Sequence, residues 1–233
     1  MEKQDYVFDV PTTFDETKCF LGIAVSLQKE ADQFHCGLAF GMIGGQVNIL
    51  HLTGHNGLRC SSQWGIFKVF VKPNIDIDRQ IAFLPLCKLI INNIGKPGFE
   101  VKYGLRYDEY AEYDEHGILH LGEHEIGLTC ATYVLTLFHS VGLDIVDIHN
   151  WPMRESDKEW LKKIIETYSD PDTKRHFCMT KEHLALMKAE DVTSRFRPEE
   201  VAVSSALFKG KAAPTEEIWK HGEMLNQYMY EKC

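Results

Sequence analysis

The sequence predicts an α+β protein whose last stretch is all helix, and three observations carry this. Residues His35–Phe40 and Gln46–Leu52 are rich in β-branched and aromatic side chains and flank a glycine turn, Gly44-Gly45, as the arms of a hairpin do. From Cys130 to Val141, the residues Val134, Leu137, Phe138 and Val141 form one helical stripe, which Gly142 ends. Beyond about residue 150 the chain carries one helix signal after another.

Taken in order, residues 1–12 predict a short extended lead. Lys18–Leu27 is apolar with many strand formers, compatible with a strand or a short helix. The hairpin follows. Gly65–Lys72 alternates as a half-buried strand does, and Pro73 ends it. Asp76–Asn93 predicts a helix with Ile77, Ile81, Leu84, Lys88 and Ile91 on one face and a kink at Pro85. Residues 95–127, rich in glycine, tyrosine and acids, predict mostly loop. Ser156-x-x-Glu159 reads as a capping box opening a helix to about Tyr168. Further helices are expected at Thr180–Ala189, Pro198–Phe208 and Thr215–Tyr230. The division this suggests is an α+β domain over 1–150 and a helical extension over 151–233.

Composition narrows the function. Of 233 residues, 44% are hydrophobic and 25% charged, the proportions of a globular protein. No apolar run reaches the roughly 18 residues that a membrane helix needs. The opening Met1–Tyr6 lacks an apolar signal stretch, so a cytoplasmic location is expected. A net charge of −9 argues against nonspecific binding to nucleic acid or anionic membrane, which needs clustered cations. The seven cysteines, Cys19, Cys36, Cys60, Cys87, Cys130, Cys178 and Cys233, are scattered and include no C-x-x-C, which speaks for reduced thiols rather than a zinc ribbon or thioredoxin-type site.

The chemistry centres on Cys130. Its place in the first turn of a helix allows two roles: a small apolar filler, or a nucleophile whose thiolate is favoured by the helix N-terminus. Thr129 is the expected N-cap. His35 opens a strand in which Gly37 permits close backbone approach, and a histidine at a sheet rim can take a thiol's proton and return it to a leaving group. His51, on the neighbouring strand, can orient the His35 ring through a hydrogen bond. Cys36 alternates to the opposite face from His35 and is a poor nucleophile candidate. His116, His120 and His124 fall at helical spacing, but Gly117 and Gly122 interrupt them, and no metal site is expected. His55 is an alternate base. Tyr103 and Tyr107 precede Cys130 in a loop able to line a cleft, and Trp151 and Trp160 read as core.

These motifs together resemble a family. His-x-Gly with apolar residues, a glycine turn and a strand ending apolar-His-apolar is similar to the histidine hairpin of the NlpC/P60 cysteine peptidases. Gly127-Leu-Thr-Cys-Ala-Thr-Tyr-Val-Leu135 is similar to that family's cysteine helix. Here the histidines precede the cysteine, so the likeness is to the circularly permuted, YiiX/YaeF-like branch. It covers roughly residues 20–150. Ala131 and Thr129 depart from the residues common beside that cysteine. The resemblance implies a permuted papain-like fold, with an antiparallel sheet packed on the cysteine helix and a helical C-terminal extension. It also implies a cysteine hydrolase cleaving a peptide or isopeptide amide through Cys130, His35 and His51, without a cofactor. The alternatives are a thioesterase or acyltransferase on acyl or lipid substrates, and an inactive binding protein that keeps the fold.

Overall fold

The computed structural model describes residues 4–9, 20–29, 32–41, 46–122, 126–190 and 194–232. Its centre is a six-stranded antiparallel sheet of β1 (Val7–Asp9), β2 (Phe20–Gln28), β3 (Gln33–Gly41), β4 (Asn48–Leu52), β5 (Leu58–Ser61) and β6 (Val69–Val71), in the order β1-β6-β2-β3-β4-β5. The expected hairpin is therefore present as β3 and β4, although its Gly44-Gly45 turn lies outside the described residues. From Phe20 on, the Lys18–Leu27 stretch is strand β2, and Val7–Asp9 of the N-terminal lead is an edge strand on β6; residues 1–3 and 10–19 lie outside the described residues. The strand expected over Gly65–Lys72 shrinks to Val69–Val71, because Gly65 turns at φ +53° and the Phe67 amide closes a turn onto the Trp64 carbonyl.

Helix α1 (Ile77–Asn93) starts at Asp76, whose side chain accepts from the Arg79 amide. Its buried side chains are Phe83, Leu84, Leu86, Cys87 and Ile90, while Ile77 and Ile81 are exposed, so the predicted stripe is displaced around the helix. Between α1 and the cysteine helix the chain is loop except for a small hairpin, β7 (Glu112–Tyr113) and β8 (Leu119–His120). Helix α2 (Cys130–His139) is buried from Ala131 to Phe138 and ends at Gly142, which turns at φ +73°. Helix α3 (Glu155–Ser169) begins one residue before the proposed cap: Arg154 is the N-cap and Asp157, not Glu159, bonds back to its amide. A short α4 (Pro171–His176) follows, capped by Asp170, where the sequence reading placed no helix. Helices α5 (Lys181–Ala189), α6 (Pro198–Leu207) and α7 (Thr215–Lys232) complete the chain.

One apolar core joins the sheet to both halves of the sequence. It holds Ile23, Val25, Leu38 and Leu50 from the sheet, Val134 and Phe138 from α2, and Val201, Val203, Ile218 and Leu225 from α6 and α7. Helix α7 also closes on the first strand's surroundings: Gln4 and Tyr6 meet His221, and Asp9 takes a hydrogen bond from the Tyr228 hydroxyl at 2.7 Å and an ion pair from Lys232 at 2.8 Å. The other sheet face carries Ala24, Ala39, Ile49 and Phe67. A satellite cluster packs α3 and α5 on the 103–105 loop through Tyr103, Leu105, Ile164, Tyr168 and Met187. No helix among the described residues is long and apolar enough to cross a membrane.

Candidate active site

The β3–β4 ladder runs only from Phe40↔Asn48 to Leu38↔Leu50. Past its end, the stretch His35–Gly37 has no β4 residue paired to it in that ladder, and the N-terminus of α2 comes alongside. The approach needs Gly37: a Cβ there would lie 2.7 Å from the His51 Cβ and 2.8 Å from the Leu50 carbonyl oxygen. The segment that delivers α2 is set by a second glycine pair. Gly127 sits at φ +132°, a Cβ on it would lie 2.3 Å from the Lys102 carbonyl oxygen, and one on Gly104 would lie 2.6 Å from that of Gly127. The Leu128 amide then donates to Lys102, and that of Gly104 to Leu128.

Thr129 caps α2 as expected, accepting from the Thr132 amide at 3.1 Å while the Thr132 hydroxyl accepts from the Thr129 amide at 2.7 Å. The Tyr133 amide is taken by the Thr129 carbonyl. The Cys130 and Ala131 amides find no acceptor among the described residues, which leaves two backbone donors free at the helix start beside the half-buried Cys130 sulfur.

The two histidines point to the face opposite the main core. His35 Nε2 and His51 Nδ1 are 2.9 Å apart, and His51 Nε2 lies 3.0 Å from Ser61 Oγ on β5. Phe67, itself buried, closes over both rings, with centroids at 5.7 Å from His35 and 5.3 Å from His51. Burial, with the His35 ring beside it, pushes His51 down to about 4, so it is neutral at pH 7. A neutral His51 that donates from Nε2 to the Ser61 hydroxyl accepts at Nδ1 from His35 Nε2, so Ser61, His51 and His35 form one hydrogen-bonded chain.

The Cys130 thiol is held well below the usual thiol range. The neighbouring Cys36 thiol contributes most, burial opposes, and nearby His35 and the Cys36 amide add to the lowering. The Cys36 amide lies beyond the end of the β3–β4 ladder, so it is available to the sulfur. Cys36 itself is fully buried, its thiol is raised well above the usual range by that burial, and it reaches the Cys130 carbonyl oxygen at 3.5 Å.

Of the predicted residues, His35 and His51 meet directly, and His35 is near enough to the Cys130 thiol to contribute to its lowered pKa. Strand alternation does put Cys36 on the face opposite His35. Its burial and raised thiol agree with its being a poor nucleophile, and because α2 packs on that same face it comes against Cys130. Ser61 and Phe67 carry no signal in the sequence: Ser61 pairs with Ile49 in the β4–β5 ladder and reaches His51 diagonally across it. His55 does not serve the thiol: it accepts the Tyr103 amide at 3.3 Å and stacks with His183, which donates to the Tyr103 carbonyl at 2.8 Å. The pair clamps Tyr103, whose ring lies 5.0 Å from Tyr168 on α3. Burial raises both phenols, and the Cys130 charge adds to the rise in each, so they stand on the thiol's side of the molecule. Tyr107 instead packs on Phe196. His116 and His120 are not on a helix, His120 pairs with Asp114 at 3.0 Å, and His124 lies outside the described residues. Among the described residues there is no cluster of three or more His, Cys, Asp or Glu side chains able to hold a metal ion. Comparison of the chain with family models, with curated proteins and with solved structures returned no match.

Proposed function

We propose that this chain is a cysteine hydrolase that cleaves an amide bond by acyl transfer to Cys130, in a permuted papain-like (NlpC/P60) arrangement. The observation that carries the proposal is a lowered thiol at a helix N-terminus with a histidine nearby that a second, neutral histidine holds at 2.9 Å. Cys130 Sγ attacks the carbonyl carbon, and its proton resides on His35. The oxyanion that forms faces the free Cys130 and Ala131 amides. His35 then gives its proton to the leaving amine, and water, deprotonated by the same ring, releases the acyl group. His51 keeps the His35 ring in the attacking orientation and shares the positive charge through a neutral acceptor nitrogen.

A thioester is cleaved by the same steps with an easier leaving group, so an acyl-thioester substrate is the outcome to set against the amide. The test is turnover of a mixed amide and thioester panel by the wild type, Cys130→Ala and His35→Ala, with melting temperatures measured alongside. Both variants are expected to lose turnover while staying folded. Turnover that survives Cys130→Ala refutes the mechanism. Cys130 that alkylates no faster than the exposed Cys178 refutes the activated thiol on which it depends.

A further inference from the structure

Two of the five described thiols converge. Cys60 bonds to the Asn48 side chain, Cys87 is buried on the inner side of α1, and Cys178 is exposed, whereas Cys36 and Cys130 touch one another. The Cys36 sulfur donates to the Cys130 carbonyl oxygen at 3.5 Å, which sets the two cysteines side by side. The hydrolytic steps need only one of them. Cys36 is sealed in the core, whereas Cys130 is half-buried at the end of its helix and is the more accessible of the two.

We propose that Cys36 and Cys130 form a two-thiol oxidation site that takes a hydroperoxide and closes to an intramolecular disulfide. This inference rests on Cys130 being the reactive thiol of the proposed function. In the first step the Cys130 thiolate attacks the hydroperoxide: an S–O bond forms as the O–O bond breaks, the sulfur loses two electrons, and the departing alkoxide takes a proton from the His35 imidazolium. The products are a Cys130 sulfenic acid and an alcohol, or water when the oxidant is hydrogen peroxide. In the second step the Cys36 sulfur attacks the Cys130 sulfur: the S–S bond forms, the S–O bond breaks, and the Cys36 proton leaves with the hydroxyl as water. External thiols reverse the bridge by exchange, two thiols being oxidised for each disulfide reduced.

The contact already in place explains why the second step outruns further oxidation. A sulfenic acid without a neighbouring thiol goes on to the sulfinic acid, which thiols do not reduce. Here the Cys36 sulfur already lies against the Cys130 residue, 3.5 Å from its carbonyl oxygen, before oxidation starts. The bridge occupies the nucleophile, so the oxidised protein is inactive and recoverable.

The experiment uses the full chain. Wild type, Cys36→Ser and Cys36→Ala are reduced, exposed to hydrogen peroxide, alkylated and peptide-mapped, with melting temperature recorded for each. The expected wild-type product is one bridge joining the peptides of Cys36 and Cys130, with loss of Cys130 alkylation that dithiothreitol restores. Both Cys36 variants are expected to give Cys130 sulfinic acid and permanent loss of alkylation. Should neither variant fold, the wild-type peptide map decides by itself. Wild type that reaches sulfinic acid without a bridge, or that bridges Cys130 to any other cysteine, overturns the inference. If reduced Cys130 alkylates first among the cysteines but forms no bridge, only this inference falls. If reduced Cys130 is no faster than Cys178, the nucleophile proposal falls and this one with it. A bridge formed by a chain that hydrolyses nothing leaves the oxidation site standing alone.

Discussion

Replacing Gly37 with alanine should damage stability and thiol reactivity together. The added Cβ would stand 2.7 Å from the His51 Cβ, 2.8 Å from the Leu50 carbonyl oxygen and 3.0 Å from Ile49 Cγ2. Two of those atoms belong to the β4 backbone or sit directly on it, so rotamer changes cannot relieve them, and β4 must draw away from β3. Overpacking of this kind costs about 2 kcal/mol, which in a chain this size lowers the melting temperature by roughly 4–8 °C. The same displacement lengthens the 2.9 Å bond between His35 and His51. Losing an orienting hydrogen bond worth about 1 kcal/mol slows Cys130 alkylation roughly fivefold. Gly142→Ala is the control. It imposes strain at φ +73° with no atom within 4 Å of the new Cβ, at the far end of α2, and should lower the melting temperature while leaving alkylation unchanged. The assay is iodoacetamide labelling of Cys130 at pH 7, followed by peptide mapping, beside thermal melts. If Gly37→Ala labels at the wild-type rate, or if Gly142→Ala slows labelling equally, the β3–β4 approach does not set the site.

Three further outcomes are expected. His51 and His55 are both pushed from 6.5 to about 4 in the fold, chiefly by burial, so the unfolded chain binds protons more readily than the folded one between those values. Stability should therefore fall as pH drops from about 6.5 toward 4, and His51→Asn should flatten part of that decline in denaturant titrations. Ser61→Ala leaves His51 Nε2 without its 3.0 Å partner; labelling of Cys130 should slow by less than in His51→Ala, measured on the two variants side by side. Arg154→Leu removes the fork on the buried Glu200, the contact with buried Asp157 and the stacking 4.7 Å over Trp219. With two carboxylates left behind, the cost should be roughly 3 kcal/mol, seen as a melting temperature lower by roughly 6–12 °C.

Local chemistry made the central elements legible in the sequence. The Thr129 cap, the apolar run after Cys130 and the Gly142 stop act within a few residues of one another, and α2 stands where they put it. The hairpin arms were equally readable, because alternation and glycine content survive any tertiary arrangement. What could not be read depends on contacts between distant residues. Which side of α1 turns inward is decided by Phe138 meeting Phe83 at 4.9 Å, not by the helix's own pattern. The true cap of α3 is a backbone-to-Asp157 bond, and Ser156, which looks like a cap, lies inside the helix. Cys36 was assigned by alternation to its correct face, yet its importance comes from the helix that packs there. Ser61 and Phe67 join the histidines only through strand register and loop closure, and no spacing in the chain encodes that.

The clasp between α7 and the N-terminal strand also bears on the order in which the molecule matures. Asp9 and Tyr228 are bonded across 219 positions of sequence, and α6 and α7 furnish part of the core against which β2 and β3 lie. Such distant closures are slow, because loop entropy is spent before the contacts that repay it exist. During synthesis the hairpin and α2 emerge long before α7, so until the last helices dock the sheet face bearing Cys36 has only α2 to cover it. Complete burial of Cys36 is therefore among the last features of the fold to form, whereas the neighbours that lower the Cys130 thiol, Cys36 and His35, both stand on β3 and are in place with the hairpin.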